Sequence, residues 1–426
     1  MAVKSVYPSN GSNRRKKSVA SAKKSVKATY KYKNTRRPKG TKSQRSFNLR
    51  VFFQNIFRQR PGMGEIDYTF LLLVAVLTIF GLIMLLSAST PTASVKFKNS
   101  YYFFNRQLFF VGLGFVFMFI FANIDYKRYK PFVNLFYLIC VVLLVCVFIP
   151  GLGVERNGSR RWVDLKFMDF QPSEMAKLAV AMFYASMIEQ KRYNLKNPKE
   201  LAFASAWIGI IAVLMLCETH LSGTIVICSI AFCLMVIGGA NLKVIGVSGA
   251  AVGVLGYMLL QHDEVRWARV VSFLHPFSDA KKTGYQTIQS LYAIGSGGIF
   301  VKGLGQSVQK FSYLPEPYND FIFSIVCEEL GLLGAGFISV LLGFLIMRGL
   351  KIAMEAPDKF AFLTVVGIMT QLAVQTVLNI AVATSSIPNT GVSLPFFSYG
   401  GTAVMILLAE MGIVLGISRY STKNIS

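Results

Sequence analysis

The feature that most constrains this chain is a series of apolar runs, 17 to 25 residues long and almost free of charge. A helix of about 20 residues crosses the ~30 Å hydrocarbon layer of a bilayer. Inside that layer no water can bond the backbone, so each run must satisfy its own amides and carbonyls as a helix. The runs predict ten spans, at about 67–88, 107–124, 131–150, 172–189, 201–218, 223–240, 243–260, 320–348, 361–384 and 395–418. The expected fold class is therefore an all-α polytopic membrane protein, not the roughly three soluble domains that 426 residues would otherwise suggest.

Charge sets the orientation. The net charge is +25, and residues 1–64 hold eighteen Lys and Arg with no Asp or Glu. The stretch "NRRKKSVASAKKSVKATYKYKNTRRPKG" is polar and repeatedly charged, the composition of a disordered tail. It predicts a cytoplasmic anchor that touches anionic membrane lipid; no nucleic-acid partner is expected. The first apolar run begins too late for a signal peptide. With the tail inside, "DYKRYK" at 125–130, "KRYNLKNPKE" at 191–200, "NLK" at 241–243 and the segment 348–359 all fall on the cytoplasmic side, as the positive-inside rule requires. An even number of spans returns the C-terminus there. The domain layout is a basic tail at 1–64 and a membrane domain at 65–420, with a large extracytoplasmic loop, 261–319, between spans seven and eight. That loop is too long to be structureless and predicts one or two short amphipathic helices on the membrane, with Trp267, Phe273 and Tyr292 at the interface. The six cysteines lie in or at the edges of apolar runs, with no CxxC, and read as small core residues.

Two outer segments carry cations against the charge bias. Residues 151–174 hold Arg156, Arg160, Arg161 and Lys166, and the 261–319 loop holds Arg266 and Arg269. Arginine recognises phosphate through a planar fork of donors, so Arg160, Arg161 and Arg266, with Lys177 just inside span four, are candidates for a lipid-linked phosphate. Contact with ordinary headgroups suits Arg269 better. In "QPSEMAKL", Pro172 opens a helix, and Glu174 and Lys177 share a face as either a structural ion pair or part of a polar cavity. Glu218 and His220 add polarity nearby. In "YLPEPYNDFIF", 313–323, Asn319 or Asp320 could cap the following helix. A cap needs only one such residue, and Glu316, Glu328 and Glu329 stand close by. A carboxylate at the membrane edge near cations suits a general base.

These motifs resemble the SEDS family, the shape, elongation, division and sporulation proteins typified by FtsW and RodA. The resemblance runs from about 67 to 418. It rests on "SAS" at 87–89, "RQ" at 106–107, "NGSRRW" at 157–162, "QPSEMAKL" at 171–178, "SGT" at 222–224, "GYQTIQSLYAIGSGG" at 284–298, "KGLGQS" at 302–307, "YLPEPYNDFIF", "EELGLLG" at 328–334 and "LPFFSYGG" at 394–401, in that order. It implies the SEDS fold and a peptidoglycan glycosyltransferase that polymerises lipid II, a disaccharide-pentapeptide on undecaprenyl pyrophosphate, with inversion at the sugar. The family's essential acid matches Asp320, which the resemblance makes the catalytic base. Substrate-binding positions carried over or proposed with it are Arg160, Arg161, Glu174, Lys177, Glu316, Arg266, Lys310, Gln286 and Ser398. A divalent cation, Mg2+ or Mn2+, is expected at the pyrophosphate; its protein ligands are unknown.

The expected partners are a class B penicillin-binding protein, a transpeptidase, and other division proteins, and the expected location is the bacterial cytoplasmic membrane at the septum. Ser393 before Leu-Pro and the long basic tail lean toward the division type, with elongation and sporulation types as alternatives. In "CETHLSGT", 217–224, His220 stands where many relatives have an Asp, so a role for that acid does not transfer. Val301 replaces a common Gly. A lipid II flippase is the rival from another class, but it needs polar groups at several depths, and here the charges concentrate at the outer side.

Overall fold

A computed structural model of the chain describes residues 64–156, 159–164, 166, 168–247, 249, 264–279 and 284–421. The tail expected at 1–64 lies, but for Gly64, outside the described residues, as does most of the seventh span expected at 243–260, whose start is helical at 242–247.

The other nine expected spans are helices: α1 (Tyr68–Phe97), α2 (Tyr102–Asn123), α3 (Val133–Cys146), α4 (Pro172–Glu189), α5 (Pro198–Cys217), α6 (Leu221–Ile237), then, after two short helices α7 (Glu264–Leu274) and α8 (Tyr285–Gly297) in the long loop, α9 (Ile322–Met354), α10 (Lys359–Ala383) and α11 (Gly401–Ser418). Seven helices among the described residues are long and apolar enough to cross a membrane, with α3 extended back to Tyr126 by two short 3-10 turns. The remaining two differ for a physical reason. α6 is only 17 residues long. α4 carries Lys177 and many small residues because protein surrounds it: every residue from Ala176 to Ile188 is buried. α10 is nearly as enclosed and packs against α4, α6 and α9. By contrast α1 buries Phe70, Val74, Leu77, Gly81, Leu85 and Ala88 at helical spacing while leaving Leu72, Ile79 and Ile83 exposed, the pattern of a helix with one face to lipid.

The most extensively packed helix pair is α2 with α11. Small residues make that approach possible: a side chain at Gly412 would begin 2.4 Å from the Met118 carbonyl oxygen. At the end where the described termini meet, the Gly64 N–H donates to the Arg419 carbonyl at 2.8 Å, and Asp67 caps α1 while its carboxylate pairs with Arg348 at 2.9 Å.

The site-bearing features gather at the opposite end. The segment expected as a loop at 151–174 folds into a small antiparallel sheet, β1 (Gly153–Arg156), β2 (Ser159–Asp164) and β3 (Asp169–Phe170), in the order β1-β2-β3. The buried Val163 anchors β2. The two helices expected in the long loop are α7 and α8. α9 is not continuous: Gly331 has φ 66° and ψ −174°, which divides a short half-helix, Ile322–Leu330, from the rest. The chain at 298–303 fills the break. The Leu332 N–H donates to the Gly298 carbonyl, and the Lys302 and Gly303 N–H groups donate to the Glu329 carbonyl. A side chain at Gly331 would start 2.4 Å from the Phe300 oxygen. The described cysteines are free thiols, Cys140 and Cys327 buried and Cys217 exposed.

Candidate functional site

A cavity of about 710 Å3 opens at the sheet-bearing end, walled by α2, the sheet, α4, α6, α8, α10, the segment 315–320, the connector 389–400 and the first residues of α11. Asp320 lies on its wall, on a connector one residue short of the α9 N-cap. The N-cap residue of that helix is Phe321, and Asp320 precedes it. The Asp320 backbone is held in place. Asn379 of α10 donates through Nδ2 to the Asp320 carbonyl at 2.8 Å and to the Val392 carbonyl at 2.7 Å, binding two wall segments to one side chain. Ser398 Oγ donates to the Asn319 carbonyl at 2.7 Å and accepts from the Leu394 N–H at 2.8 Å. Gly391, with φ 72°, faces the acid: a side chain there would begin 3.3 Å from Asp320 Oδ2. Glycine thus supplies both the left-handed backbone and the space beside the carboxylate.

Glu316 also lines the cavity, with a left-handed φ of 46° that a non-glycine residue adopts only under constraint. Asn319 Nδ2 donates to Glu316 Oε2 at 3.0 Å. Gln286 of α8 links the same region to the opposite connector, donating to the Pro315 carbonyl at 3.4 Å and accepting from Asn389 at 2.9 Å. On α4, Lys177 Nζ lies 2.7 Å from Glu174 Oε2, and Lys177 is only 2% exposed. The pair is at once an ion pair and a part of the cavity wall. Arg161 on β2 reaches across and donates to the Thr219 carbonyl at 2.7 Å.

The structure therefore brings Asp320, Glu316, Gln286, Glu174, Lys177 and Arg161 around one space. It does not bring Arg160, Lys310 or Ser398 there. Arg160 does not line the cavity and pairs with exposed Glu155 at 3.0 Å, whereas Arg161 is the extra residue of an irregularity between the Glu155–Arg160 and Val154–Trp162 pairs. Lys310 is buried against Glu329 at 2.8 Å and also donates to Ser87 Oγ at 3.0 Å. Glu328 accepts from the Val308 N–H at 2.9 Å and from Ser307 Oγ. The two glutamates thus clamp the 302–310 loop rather than line the cavity. Ser398 lines a separate void of about 30 Å3, enough for a single water, beside Glu174, Gln371 and Gln375. Arg266 is on α7, and its side chain lies outside the described residues.

Residues not singled out from the sequence also line the cavity: Arg106 of α2, Ser222 of α6, Gln375 of α10, Asn389 and Thr402. "RQ" at 106–107 was a signal for the first. Gln107 Nε2 donates to the Ser398 carbonyl at 3.4 Å and its Oε1 accepts from the Gly400 N–H at 3.1 Å, which sets the neighbouring Arg106 at the rim.

Behind this wall, burial pushes the Glu218 carboxyl up to about 8, with the Arg161 guanidinium opposing. Burial, then Arg161 and Lys177, hold the His220 imidazole well below its ordinary range. Both groups favour the neutral form at neutral pH. Among the described residues no three His, Cys, Asp or Glu side chains cluster as metal ligands.

Membrane-length helices closing around a charged cavity at one end define a polytopic integral membrane protein with a site at the ends of its helices. The family model described as "Cell cycle protein", covering FtsW, RodA and SpoVE, matches residues 67–423. The chain belongs to this FtsW/RodA/SpoVE family, the SEDS proteins. It is 40% identical over 361 residues to stage V sporulation protein E of Bacillus subtilis, covering 83% of this chain and 97% of that one. It is 34% identical to a probable peptidoglycan glycosyltransferase FtsW of Geobacter sulfurreducens, with 83% and 95% covered. Among solved structures, a chain of a peptidoglycan synthase complex that coordinates polymerization and crosslinking is similar, with TM-score 0.69, 26% identity and 83% and 98% covered. The rod shape determining protein RodA of Thermus thermophilus is similar with TM-score 0.64, 25% identity and 85% and 99% covered.

Proposed function

We propose that this protein is a peptidoglycan glycosyltransferase that polymerises lipid II at the outer face of the cytoplasmic membrane, with Asp320 as general base. The observation that carries the reading is one cavity in which a backbone-anchored carboxylate shares a wall with Arg161 and Lys177. Relatives over most of the chain bear the name of that activity.

The chemistry needs one base and a set of cations. An acceptor sugar hydroxyl attacks the anomeric carbon of the donor. The bond from that carbon to the pyrophosphate oxygen breaks, and its electron pair leaves with the pyrophosphate. The hydroxyl proton passes to the Asp320 carboxylate. The leaving group is an anion from the start, so it needs positive charge rather than a proton donor. One displacement inverts the sugar centre, without the paired carboxylates of a glycoside hydrolase. Glu316 and Gln286 would orient the sugars. A divalent cation would supply further neutralisation of the pyrophosphate. Mg2+ or Mn2+ takes oxygen donors, commonly one or two carboxylates together with substrate phosphates, and Glu316 and Asp320 fit that donor set.

The partner in this reading is a class B penicillin-binding protein whose membrane helix packs on α9 and α10. The α9 face bearing Leu332, Phe337, Val340, Phe344 and Met347 is exposed and apolar, open to lipid or to such a helix. Cytoplasmic termini follow from the charge of the loops. A division role rests on Ser393 and the basic tail; depletion of the protein in growing and in sporulating cells separates it from the sporulation role of the relative at 40% identity.

The test is polymerisation of lipid II by the protein purified with its partner, in divalent cation, with transpeptidation blocked. Glycan strands are expected from wild type and none from Asp320→Ala. Polymer from the variant at the wild-type rate would remove Asp320 as the base. Transfer of lipid II between leaflets without polymer would replace the enzyme by a flippase.

A further inference from the structure

Glu410 is the one ionisable residue of α11, and it stands in the middle of that helix. At 1.5 Å per residue it lies about 14 Å along the axis from Gly401, at the depth of the hydrocarbon. Its side chain is 0% exposed. An ionisable group at such depth is costly to keep and reads as functional. It does not line the cavity, and the mechanism above does not use it.

Its partner is Gln371 of α10, whose Nε2 donates to Glu410 Oε2 at 2.9 Å. The other two oxygens of the pair, Glu410 Oε1 and Gln371 Oε1, are buried and make no hydrogen bond. With the carboxyl ionised, both are acceptors and neither has a donor. A carboxylic acid beside an amide is different, because the acid O–H donates while the amide oxygen accepts. One proton on Glu410 Oε1 therefore makes a donor of one orphan and offers a partner to the other. Close packing encloses the pair: one turn away on α10, a side chain at Gly367 would begin 2.7 Å from the Ala181 Cβ of α4.

A path for the proton leads in from the cavity. Glu174 and Gln375 line both the cavity and the neighbouring void of about 30 Å3. Gln371 lines that void too, as does Leu407, one turn before Glu410. The charges that act on Glu410 come from α4 alone, where Lys177 attracts an ionised carboxylate and Glu174 repels it. Tyr184, further along α4, is turned to α5 and donates to the Ala204 carbonyl. Of the other helices packed on α11, α10 has no ionisable residue after Lys359, and residues 69–95 of α1, 107–123 of α2 and 332–347 of α9 hold none.

We propose that Glu410 and Gln371 form a buried proton-binding site, occupied at neutral pH and filled from the cavity, that governs the positive charge Lys177 presents there. With the proton in place, Lys177 answers Glu174 alone. Once the proton leaves, one ammonium serves two carboxylates, and the wall carries an extra negative charge that weakens the binding of an anionic substrate. A metal cation is the poorer occupant, since it takes about six oxygens and would meet the Lys177 ammonium. The site itself goes beyond the glycosyltransferase reading; only its effect on substrate rests on that reading.

Infrared difference spectra of the full chain with its partner, wild type against Glu410→Gln, test the proton directly. The carbonyl stretch of a protonated carboxyl is expected in wild type at neutral pH, absent from the variant, and lost from wild type in alkaline buffer. Glu218 is present in both proteins and cancels. Spectra without a lost band would overturn the site. Across the same range, KM for lipid II should rise about fivefold further in wild type than in Glu410→Gln, the low end of coupling between two sites. Equal rises would overturn the control of Lys177. Should Glu410→Gln fail to fold, Glu410→Leu with Gln371→Leu removes both members of the pair and carries both comparisons. A wild type that shows the band and forms no polymer would support the proton site and refute the glycosyltransferase reading.

Discussion

Asp320 owes its position to a side chain on another helix. Asn379 holds its carbonyl, and Gly391 keeps the space beside its carboxylate open. Removing a positioned general base typically costs 10^2–10^4-fold, so Asp320→Ala should lower polymerisation by about that factor with an unchanged thermal midpoint. Gly391→Ala should also impair turnover, because it brings both a strained backbone and a methyl group to the acid; its effect is read as kcat at saturating lipid II. Glu218 makes a pH prediction. Its folded value, about 8, is above the ordinary 4.5, so the folded protein holds this proton more tightly than the unfolded chain. The stability it contributes is complete below about pH 4.5, declines as pH rises and is lost through about pH 8. Glu218→Gln should therefore flatten the decline in thermal midpoint across that range.

The clearest element-scale feature is the clamp formed by Glu328 and Glu329 at the end of the first half of α9. Glu329 is fully buried against Lys310. Breaking such a pair from one side strands the other charge, at a cost of about 3–5 kcal/mol, whereas replacing both partners can be close to neutral. Lys310→Met should lower the unfolding temperature in detergent sharply, and Lys310→Met with Glu329→Gln should regain most of it. The clamp also explains where sequence reading reached its limit. Lys310 is a cation on the expected outer side, and its sign alone suggested phosphate. Its partner lies 19 residues away, and the turns at 311–321 bring the chain back to it with no local pattern that pairs the two. Arg160 and Arg161 are indistinguishable as neighbours in sequence; the irregular strand pairing puts Arg161 on the cavity wall and leaves Arg160 with Glu155. The Glu174–Lys177 pair was legible because helical spacing alone brings i and i+3 together.

For the whole molecule, the spans were the readable part, since hydrocarbon leaves the backbone no alternative to a helix. The cavity was legible as a set of residue types but not as a shape, because six helices, the small sheet and two connectors converge on it from distant parts of the chain. The proposed orientation is testable at this scale. A cysteine introduced at Tyr313, on the sheet-bearing end, should react with a membrane-impermeant thiol reagent in intact cells, and one at Lys196 should react only after lysis. The opposite result would invert the molecule.

The break at Gly331 has a mechanical consequence. A bilayer that thins or thickens tilts and bends the helices that face it. The lipid-facing length of α9 begins beyond the break, while the short segment leading back to Asp320 is tied into the polar end by Lys302, Lys310 and their glutamates. The joint is a pinned bend: the chain at 298–303 bonds backbone groups on both of its sides, so the long shaft and the segment that bears the carboxylate are held at one angle. Gly331→Ala should accordingly lower turnover in nanodiscs of every lipid chain length, because its methyl group would meet the Phe300 oxygen in a backbone region open to glycine.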